Sequence, residues 1–321
     1  MAGAMAGTAI LNSSLSQKLQ TVTLTINNKC NLSCPHCYLQ YNSNLDKITA
    51  ETLELVSQSQ FKHLSIVGKE PLVDSTSISI SEKISKLASQ SSKTISLITN
   101  GLNLSMVKPE FLKNLSYIDI SFDGGPETYE KYRNGSLSKL IRGLEHLRNC
   151  NFLNVNALHV LNTETIGNVD DMMKVRDYFN FRHIMFSPYV NTSNFGLNSV
   201  RELKIESIIS ALSQSKLFRA EPKAFLLVGA DNLTSSNKNH SIEDLTEKYG
   251  MGAKIKIIKE DPLLYGIIRV TYDGFALTPY QSLNTINYQK TGINLTKLNR
   301  QNRLLQDVYK TMRNADCPLN N

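Results

Sequence analysis

The sequence has no run of eighteen apolar residues, no run of lysine or arginine, and only five cysteines among 321 residues. Without an apolar run of that length, no membrane-spanning helix is expected. The formal charge of +7 is scattered along the chain, so it indicates a solvated basic surface and not a nucleic-acid interface. The first residues lack both a basic segment and a long apolar core, so no secretion signal is predicted.

Three of the cysteines nevertheless stand close together, at Cys30, Cys34 and Cys37. Three residues separate the first pair and two separate the second. Three thiolates on one tight loop can hold three irons of a four-iron, four-sulfur (4Fe-4S) cluster and leave the fourth iron without a protein ligand. An iron with an open position is a place where chemistry can occur.

A structural zinc site is the main alternative use of such a loop. Zinc would need a fourth ligand, from His36, Cys150 or Cys317. The protein would then be a zinc-stabilised module that binds nucleic acid or another protein. A disulfide is a poorer interpretation, because three clustered thiols pair badly. Anaerobic purification separates the two classes, since a cluster protein is brown and carries about four irons.

Four segments with the residue pattern of β-strands end in chemically useful residues. Residues 21–27 alternate and are rich in branched side chains, and they lead into the cysteine loop. The other three segments are residues 63–67, followed by Gly68, Lys69, Glu70 and Pro71; residues 94–99, followed by Asn100 and Gly101; and residues 117–122, which include Ser121 and precede Asp123 and Gly124. Any one of these endings alone would indicate a turn. Four of them in order behind a cysteine triad are hard to assign to chance.

Together these features resemble the radical S-adenosylmethionine (SAM) superfamily. Its signature is C-x3-C-x-(aromatic)-C, and His36 occupies the aromatic position here. The resemblance implies one 4Fe-4S cluster on Cys30, Cys34 and Cys37, with SAM chelated to the open iron through its amino and carboxylate groups. It further implies that an electron, from a reductant such as flavodoxin or ferredoxin, splits SAM into methionine and a 5′-deoxyadenosyl radical.

The resemblance also implies how SAM is bound. The sequence from Gly68 to Leu72 is similar to the Gly-Gly-Glu-Pro element that binds the SAM amino group, with Glu70 as the carboxylate acceptor. Lys69 replaces the second glycine, a departure that bears on the local geometry because lysine allows close backbone approach and positive φ only at a cost. The fourth-strand motif resembles that of molybdenum-cofactor cyclases and peptide-modifying maturases. The predicted cofactor-binding residues are His36, Gly68, Lys69, Glu70, Pro71, Asn100, Ser121, Asp123, Arg133, Asn156 and Tyr189.

Helical patterns separate the strand patterns, over residues 49–61, 78–87, 136–147 and 169–179, and two more strands are predicted at 153–161 and 183–189. Alternating strands and helices predict an α/β fold with a parallel sheet. We expect a flexible N-terminus over residues 1–19 and a partial (β/α)6 radical SAM barrel over residues 20–215. Reactive groups collect at the carboxyl ends of such strands, where every motif above falls. His159, Asn162 and Ser187 lie at later strand ends, and His159 is interpreted as a structural histidine.

The pattern changes after residue 215. A polar loop is predicted over residues 231–250, strands over 254–258 and 266–272, and a last helix over about 298–312. The order resembles a SPASM or twitch extension, in which an Asp-Gly hairpin precedes the first auxiliary-cluster cysteine. Here the Asp273-Gly274 pair is present, but Pro279-Tyr280 stands at the position where that cysteine would be expected. Residues 216–321 are therefore expected to form a small α+β extension without an auxiliary cluster.

The expected function is hydrogen abstraction by a radical SAM enzyme in a reducing cytoplasm. A peptide, such as the precursor of a ribosomally made natural product, or a small natural product would be the substrate, and epimerisation or another carbon-centred modification the outcome. The alternative is an amino-sugar or antibiotic-precursor dehydrogenase or rearrangement enzyme. Without an auxiliary cluster there is no obvious acceptor for oxidative crosslinking, which favours a redox-neutral reaction.

The cysteine triad gives a first prediction. Replacement of Cys30, Cys34 or Cys37 by Ala removes one of three iron ligands, so each variant should lose both the cluster and SAM cleavage. Iron content and 5′-deoxyadenosine formation measure the two properties. A variant that retains full iron and full 5′-deoxyadenosine production would exclude that cysteine as a ligand.

A second prediction concerns the hydrogen donor of an epimerisation. A planar carbon radical needs hydrogen from a weak bond on its opposite face, which a thiol provides, and Cys317 near the C-terminus is the candidate. Cys317→Ala should still produce 5′-deoxyadenosine but lose product, and solvent deuterium should enter the wild-type product alone. Normal turnover with unchanged solvent label in the variant would disprove the thiol-donor hypothesis.

Overall fold

The strands of the described chain form one sheet of eleven members. The computed structural model describes residues 15–37, 39, 45–190, 200–229, 241–279, 281, 288–296 and 304–315. The strands are β1 Thr21–Thr25, β2 His63–Val67, β3 Thr94–Thr99, β4 Tyr117–Ser121, β5 Val155–Leu161, β6 His183–Pro188, β7 Ala224–Val228, β8 Ile255–Ile257, β9 Ile267–Val270, β10 Phe275–Leu277 and β11 Ile293–Asn294.

The sheet is dominated by parallel pairing. Its strand order is β11-β10-β9-β1-β2-β3-β4-β5-β6-β7-β8. Every neighbouring pair from β1 to β8 is parallel, β9 joins β1 in parallel, and only the last two pairs, β9 with β10 and β10 with β11, are antiparallel. The expected α/β class with a parallel sheet is confirmed, consistent with a partial barrel.

The parallel run is longer than the six strands predicted. β7, which the sequence analysis missed, and β8 extend it beyond residue 215. β9 comes from the same C-terminal part and lies at the other side of the sheet, beside β1. The domain boundary near residue 215 remains a prediction, but strands from both sides of it belong to one sheet.

All but the last of the described helices lie between strands in sequence. The described helices are α1 Ala50–Gln58, α2 Ser75–Gln90, α3 Pro109–Leu112, α4 Tyr129–Arg133, α5 Leu137–Asn149, α6 Val169–Met173, α7 Ile205–Gln214, α8 Lys216–Ala220, α9 Ile242–Lys248, α10 Tyr288–Thr291 and α11 Leu305–Ala315. Thr49 caps α1 and Ser136 caps α5, each by accepting a backbone N–H three residues later. These polar caps explain why the predicted starts were close to the observed ones.

Two helix predictions need correction. The segment predicted as one helix over residues 169–179 is the short helix α6 followed by a 3-10 turn, Lys174–Asp177. The polar segment predicted as a loop over residues 231–250 contains α9, which begins with a capping box between Ser241 and Asp244. Residues 230–240 lie outside the described chain, as do residues 1–14 of the predicted flexible N-terminus and residues 298–303 of the predicted last helix.

Alternation along the strands sorts apolar and polar side chains to opposite faces of the sheet. Val22 and Leu24 of β1 belong to the main apolar core with α1 and α2 residues, whereas Thr23 and Thr25 take the other face. β3 follows the same rule, with Ile95 and Leu97 in the main core. Because successive strand side chains point to opposite faces, Thr23 and Thr25 of β1 and Ser96 of β3 point to the inner face of the sheet.

A second apolar cluster on the inner face separates two polar regions. It contains Leu158, Met185, Phe225, Leu227, Ile258 and Ile267, with Ile98 packed against it. Near the strand starts, His63 contacts Thr94 and Ser96, and its pKa is lowered by burial to about 4. Near the strand ends the interior opens into a cavity. Among the described residues, no helix is long and apolar enough to cross a membrane.

Candidate active site at the carboxyl ends of the strands

A cavity of about 390 Å³ lies at the carboxyl ends of the parallel strands. All three clustered cysteines line it, and each is a free, partly exposed thiol. Burial raises the pKa of the Cys34 thiol to about 11 and also raises the pKa of Cys30. Because iron binds thiolates, loading of a cluster here would release protons.

Backbone and amide bonds fix the start of the cysteine loop. Glu70 donates its backbone N–H to Lys29 O at 2.9 Å, and Asn100 Nδ2 donates to Asn31 Oδ1 at 2.8 Å. Asn27, just after β1, donates from Nδ2 to Glu70 O at 2.8 Å. The loop is thereby tied to the ends of β2 and β3.

The donor set fits a 4Fe-4S cluster. Three thiols face one cavity from one loop, and three thiols suffice for three of the four irons. Arg133 adds a second sign of fit, because its Nε is buried and has no hydrogen-bond partner in the described chain. A buried guanidinium nitrogen on the wall of a cavity suits a carboxylate such as that of SAM.

The loop after β2 accommodates the lysine that replaces a glycine. Lys69 lines the cavity, and the described non-glycine residues with positive φ are Ser92, Asn134 and Asn151, so Lys69 avoids the costly conformation. Gly68 is the position that excludes a side chain, because a Cβ there would lie 2.5 Å from Asn27 Oδ1. The close approach that glycine permits is therefore needed at residue 68.

Glu70 joins two strand-end loops through its carboxylate. Oε1 accepts from the Leu72 N–H at 2.8 Å and from Thr99 Oγ1 at 2.6 Å, and Oε2 accepts from the Asn100 N–H at 2.7 Å. Burial raises the pKa of Glu70 although these three donors oppose it. Oε2 accepts one protein bond, which leaves it a lone pair for a ligand.

At the end of β4, Asp123 gathers three donors. His36 Nε2 lies 2.9 Å and Arg133 NH1 2.6 Å from Oδ2, and the Val160 N–H donates to Oδ1 at 2.6 Å. Burial alone would raise the pKa of Asp123, but His36 and Arg133 outweigh it and hold the pKa well below its usual range. Asp123 is therefore ionised, and His36 donates from Nε2.

Most of the predicted site residues meet at the cavity. Its lining includes the predicted residues His36, Gly68, Lys69, Glu70, Asn100, Ser121, Asp123, Arg133 and Tyr189, besides the three cysteines. Pro71 is buried beside the cavity but does not line it, and its carbonyl accepts from Ser81. Ser187, flagged at the end of the sixth strand, does line the cavity.

Three residues flagged in or just after the fifth strand lie elsewhere. Asn156 is paired in register with Asp119 and His183, and its side chain bonds to both near the strand starts, so it does not reach the cavity. His159 is fully buried against Phe186, at 4.9 Å between ring centroids, and burial lowers its pKa to about 4. Asn162 accepts backbone N–H bonds in the turn that follows.

Arg269 is a cavity residue that the sequence analysis missed. It lies on β9, is 4% exposed, and donates from Nε to Thr25 Oγ1 at 3.0 Å. A charged residue inside an apolar strand pattern was the available signal. Its partner strand is β1, far away in sequence, so only the sheet order brings it to the site.

Among the described residues, no cysteine other than the three of the loop lines the cavity. Cys150 follows α5, with Sγ 3.7 Å from His146 Nε2, and it is not a lining residue. Cys317 and Tyr280 lie outside the described residues. The role suggested for Cys317 therefore stays a prediction.

The geometry defines a class: a parallel α/β protein with a three-cysteine loop and polar strand ends around one cavity. The family model of the radical SAM superfamily matches residues 24–175. Residues 24–175 of this chain therefore form a radical SAM superfamily domain. That superfamily uses one 4Fe-4S cluster and SAM.

Two curated relatives are described as "Probable GTP 3′,8-cyclase". The one from Methanococcus aeolicus is 28% identical over 166 residues, covering 49% of this chain and 55% of the relative. The one from Methanocaldococcus jannaschii is 30% identical over 139 residues, covering 40% of this chain and 45% of the relative. The chain thus spans about half the length of these relatives.

Solved structures share the fold. Streptococcus suis SuiB bound to precursor peptide SuiA is similar with a TM-score of 0.61 and 12% identity, over 97% of this chain and 67% of that one. A histidine-tagged form of anSMEcpe with bound AdoMet is similar with a TM-score of 0.51 and 18% identity, over 81% and 71% of the two chains. Identities this low support a common architecture alone.

Glu70 gives a third prediction. Glu70→Ala leaves three buried donors without their acceptor, so the unfolding free energy of the cluster-free protein should fall by about 3 kcal/mol. The reconstituted variant should keep its iron and bind SAM at least about tenfold more weakly, equivalent to about 1.4 kcal/mol. Urea unfolding, iron analysis and calorimetric SAM titration measure these effects.

The matched control for Glu70 is Glu110→Ala, because Glu110 is an exposed carboxylate in the first turn of α3. It should change neither stability nor SAM binding appreciably. Wild-type SAM affinity in the Glu70 variant would contradict a part for this loop in binding.

Proposed function

We propose that this protein reductively cleaves SAM and uses the resulting 5′-deoxyadenosyl radical to abstract hydrogen from a substrate at the cavity mouth. The observation that carries the proposal is the meeting of Cys30, Cys34 and Cys37 with Glu70 and Arg133 around one cavity. When bound, the cluster supplies the electron that breaks the SAM carbon–sulfur bond. The chain's own residues bind, orient and shield the reactants.

In this proposal, different parts of the cavity wall bind the cluster, the SAM amino group and the SAM carboxylate. The loop cysteines hold the cluster, and the strand-end loop from Gly68 to Glu70 receives the SAM amino group. Arg133 binds the SAM carboxylate: NH1 is held by Asp123, which fixes the plane of the guanidinium, while Nε has no partner in the described chain. Ser121 lies on the same wall and adds a hydroxyl.

The far side of the cavity suits the substrate. Leu158 and Val160 of β5 give it an apolar face, and Ser187 and Tyr189 give it polar groups, while Arg269 of β9 adds a charged group beside β1. A cavity of about 390 Å³ is in the range of small-molecule sites, and bound SAM together with a reacting group would displace water from it. A peptide would present a single residue to such a site.

We favour a peptide precursor or a small natural product as substrate, with epimerisation or another carbon-centred change as the outcome. The order of elements in the C-terminal part of the sequence is similar to that of a SPASM or twitch extension without auxiliary-cluster cysteines. This similarity supports a peptide or small natural product as the substrate. An amino-sugar or antibiotic-precursor dehydrogenase or rearrangement enzyme is the alternative, and product analysis distinguishes them. The reductant would be a small electron carrier such as flavodoxin or ferredoxin.

A fourth prediction tests the proposal. Anaerobically reconstituted protein should contain about four irons and, with dithionite, convert SAM to methionine and 5′-deoxyadenosine. Arg133→Lys keeps the charge beside Asp123 but removes Nε, so it should retain iron and bind SAM about tenfold to a hundredfold more weakly. Calorimetric titration with SAM measures the affinity.

Arg148→Lys is the matched control, because Arg148 is an arginine on α5 that hydrogen-bonds to the backbone at Tyr178, away from the cavity. Its SAM affinity should equal that of the wild type. Wild-type protein that binds zinc in place of iron and leaves SAM intact would contradict the proposed function. Unchanged SAM affinity in Arg133→Lys would remove Arg133 from the site.

A further inference from the structure

The histidine within the cysteine loop has a buried partner on another strand end. His36 lies between Cys34 and Cys37, and its Nε2 is 2.9 Å from Asp123 Oδ2. The two side chains are only 10% and 1% exposed. Phenylalanine, the simplest aromatic residue for this position, could pack there but has no N–H to donate to the carboxylate.

Asp123 is a fixed point for that bond. Its Oδ1 accepts from the Val160 N–H of β5, and its Oδ2 also accepts from Arg133 NH1 at the end of α4. A carboxylate held by donors from two other elements cannot follow the loop if the loop moves. The His36 bond therefore locates the loop relative to β4, β5 and α4 together.

The other bonds of the loop hold its two halves unequally. The first half is tied by the amide pair of Asn31 and Asn100. The second half, with two of the three cysteines, has the exposed bond from Asn134 Nδ2 to Ser33 Oγ at 2.9 Å and a weak thiol contact from Cys34 to the Arg133 carbonyl at 3.5 Å. Exposed bonds compete with water and hold less firmly than buried, charge-assisted ones.

We propose that His36 is a positioning residue, which acts through Asp123 to hold Cys34 and Cys37 in place before a cluster binds and to set the surroundings of the cluster afterwards. The inference rests on the proposed function, because it takes these cysteines as iron ligands. Residues that orient metal ligands tune both assembly and the properties of the metal. In addition, the His36 N–H offsets the negative charge of Asp123 close to the thiolates.

Hydrogen exchange on cluster-free protein tests the first half of the proposal. His36→Phe keeps a ring but removes the donor, so the backbone amides of residues 31–37 should exchange about tenfold faster, the effect of one lost charge-assisted bond. His36→Gln should restore exchange to within about twofold, because the Gln side-chain amide can donate from nearly the same place. Asn134→Gly, which removes the exposed bond at a residue with φ of 53° that suits glycine, should change exchange by less than about twofold.

Spectroscopy of the reconstituted protein tests the second half. His36→Phe should retain iron, but its reduced cluster should show altered paramagnetic resonance and a more negative midpoint potential, because Asp123 is less compensated. His36→Gln should return both towards wild type, an effect that a merely space-filling residue would not produce.

The outcomes separate this inference from the proposed function. Wild-type exchange, spectrum and potential in His36→Phe would overturn the positioning role while leaving SAM cleavage by wild-type protein intact. Equal exchange changes in His36→Phe and Asn134→Gly would also overturn it, since the buried bond would then be no more important than the exposed one. A wild-type protein that binds no cluster would overturn the proposed function itself.

Discussion

The parallel direction of β1 to β8 is the constraint on which the rest of the structure depends. Parallel strands end at a common edge, so loops that are distant in sequence face one another there. The cysteine loop after β1, the glutamate after β2 and the aspartate after β4 all meet for this reason. The helices that connect the strands cover the outer face of the sheet. The apolar side chains on that face of each strand pack against these helices.

Alternation then decides what the inner face can offer. The outer face takes Val, Ile and Leu side chains, whereas near the strand starts the inner face carries polar side chains that bond to one another, such as His63 with Ser96 and Asn156 with Asp119. The apolar cluster of Leu158, Met185, Phe225, Leu227, Ile258 and Ile267 separates those groups from the cavity. This arrangement keeps one end of the interior filled and leaves the other end open for ligands.

The charges at the cavity are not distributed evenly. Both carboxylates are already engaged: Glu70 by three donors from the loops after β2 and β3, and Asp123 by His36, Arg133 and Val160. Lys69 and Arg269 also line the wall. Arg133 Nε, which has no hydrogen-bond partner in the described chain, suits a ligand carboxylate, and Glu70 Oε2, which accepts one protein bond, can still accept a donor from a ligand.

The sequence by itself determined the local features. Cysteine spacing placed three thiols on one loop, and alternation located most of the parallel strands, because these signals depend on neighbours within a few residues. The sequence could not show that Asn156 lies away from the cavity, that Arg269 lines it, or that Lys69 avoids positive φ. Those outcomes depend on strand register, on the pairing of β9 with β1 and on the path of one loop. Only the tertiary structure decided them, because a hydrogen bond between distant segments produces no periodic pattern in the sequence of either segment.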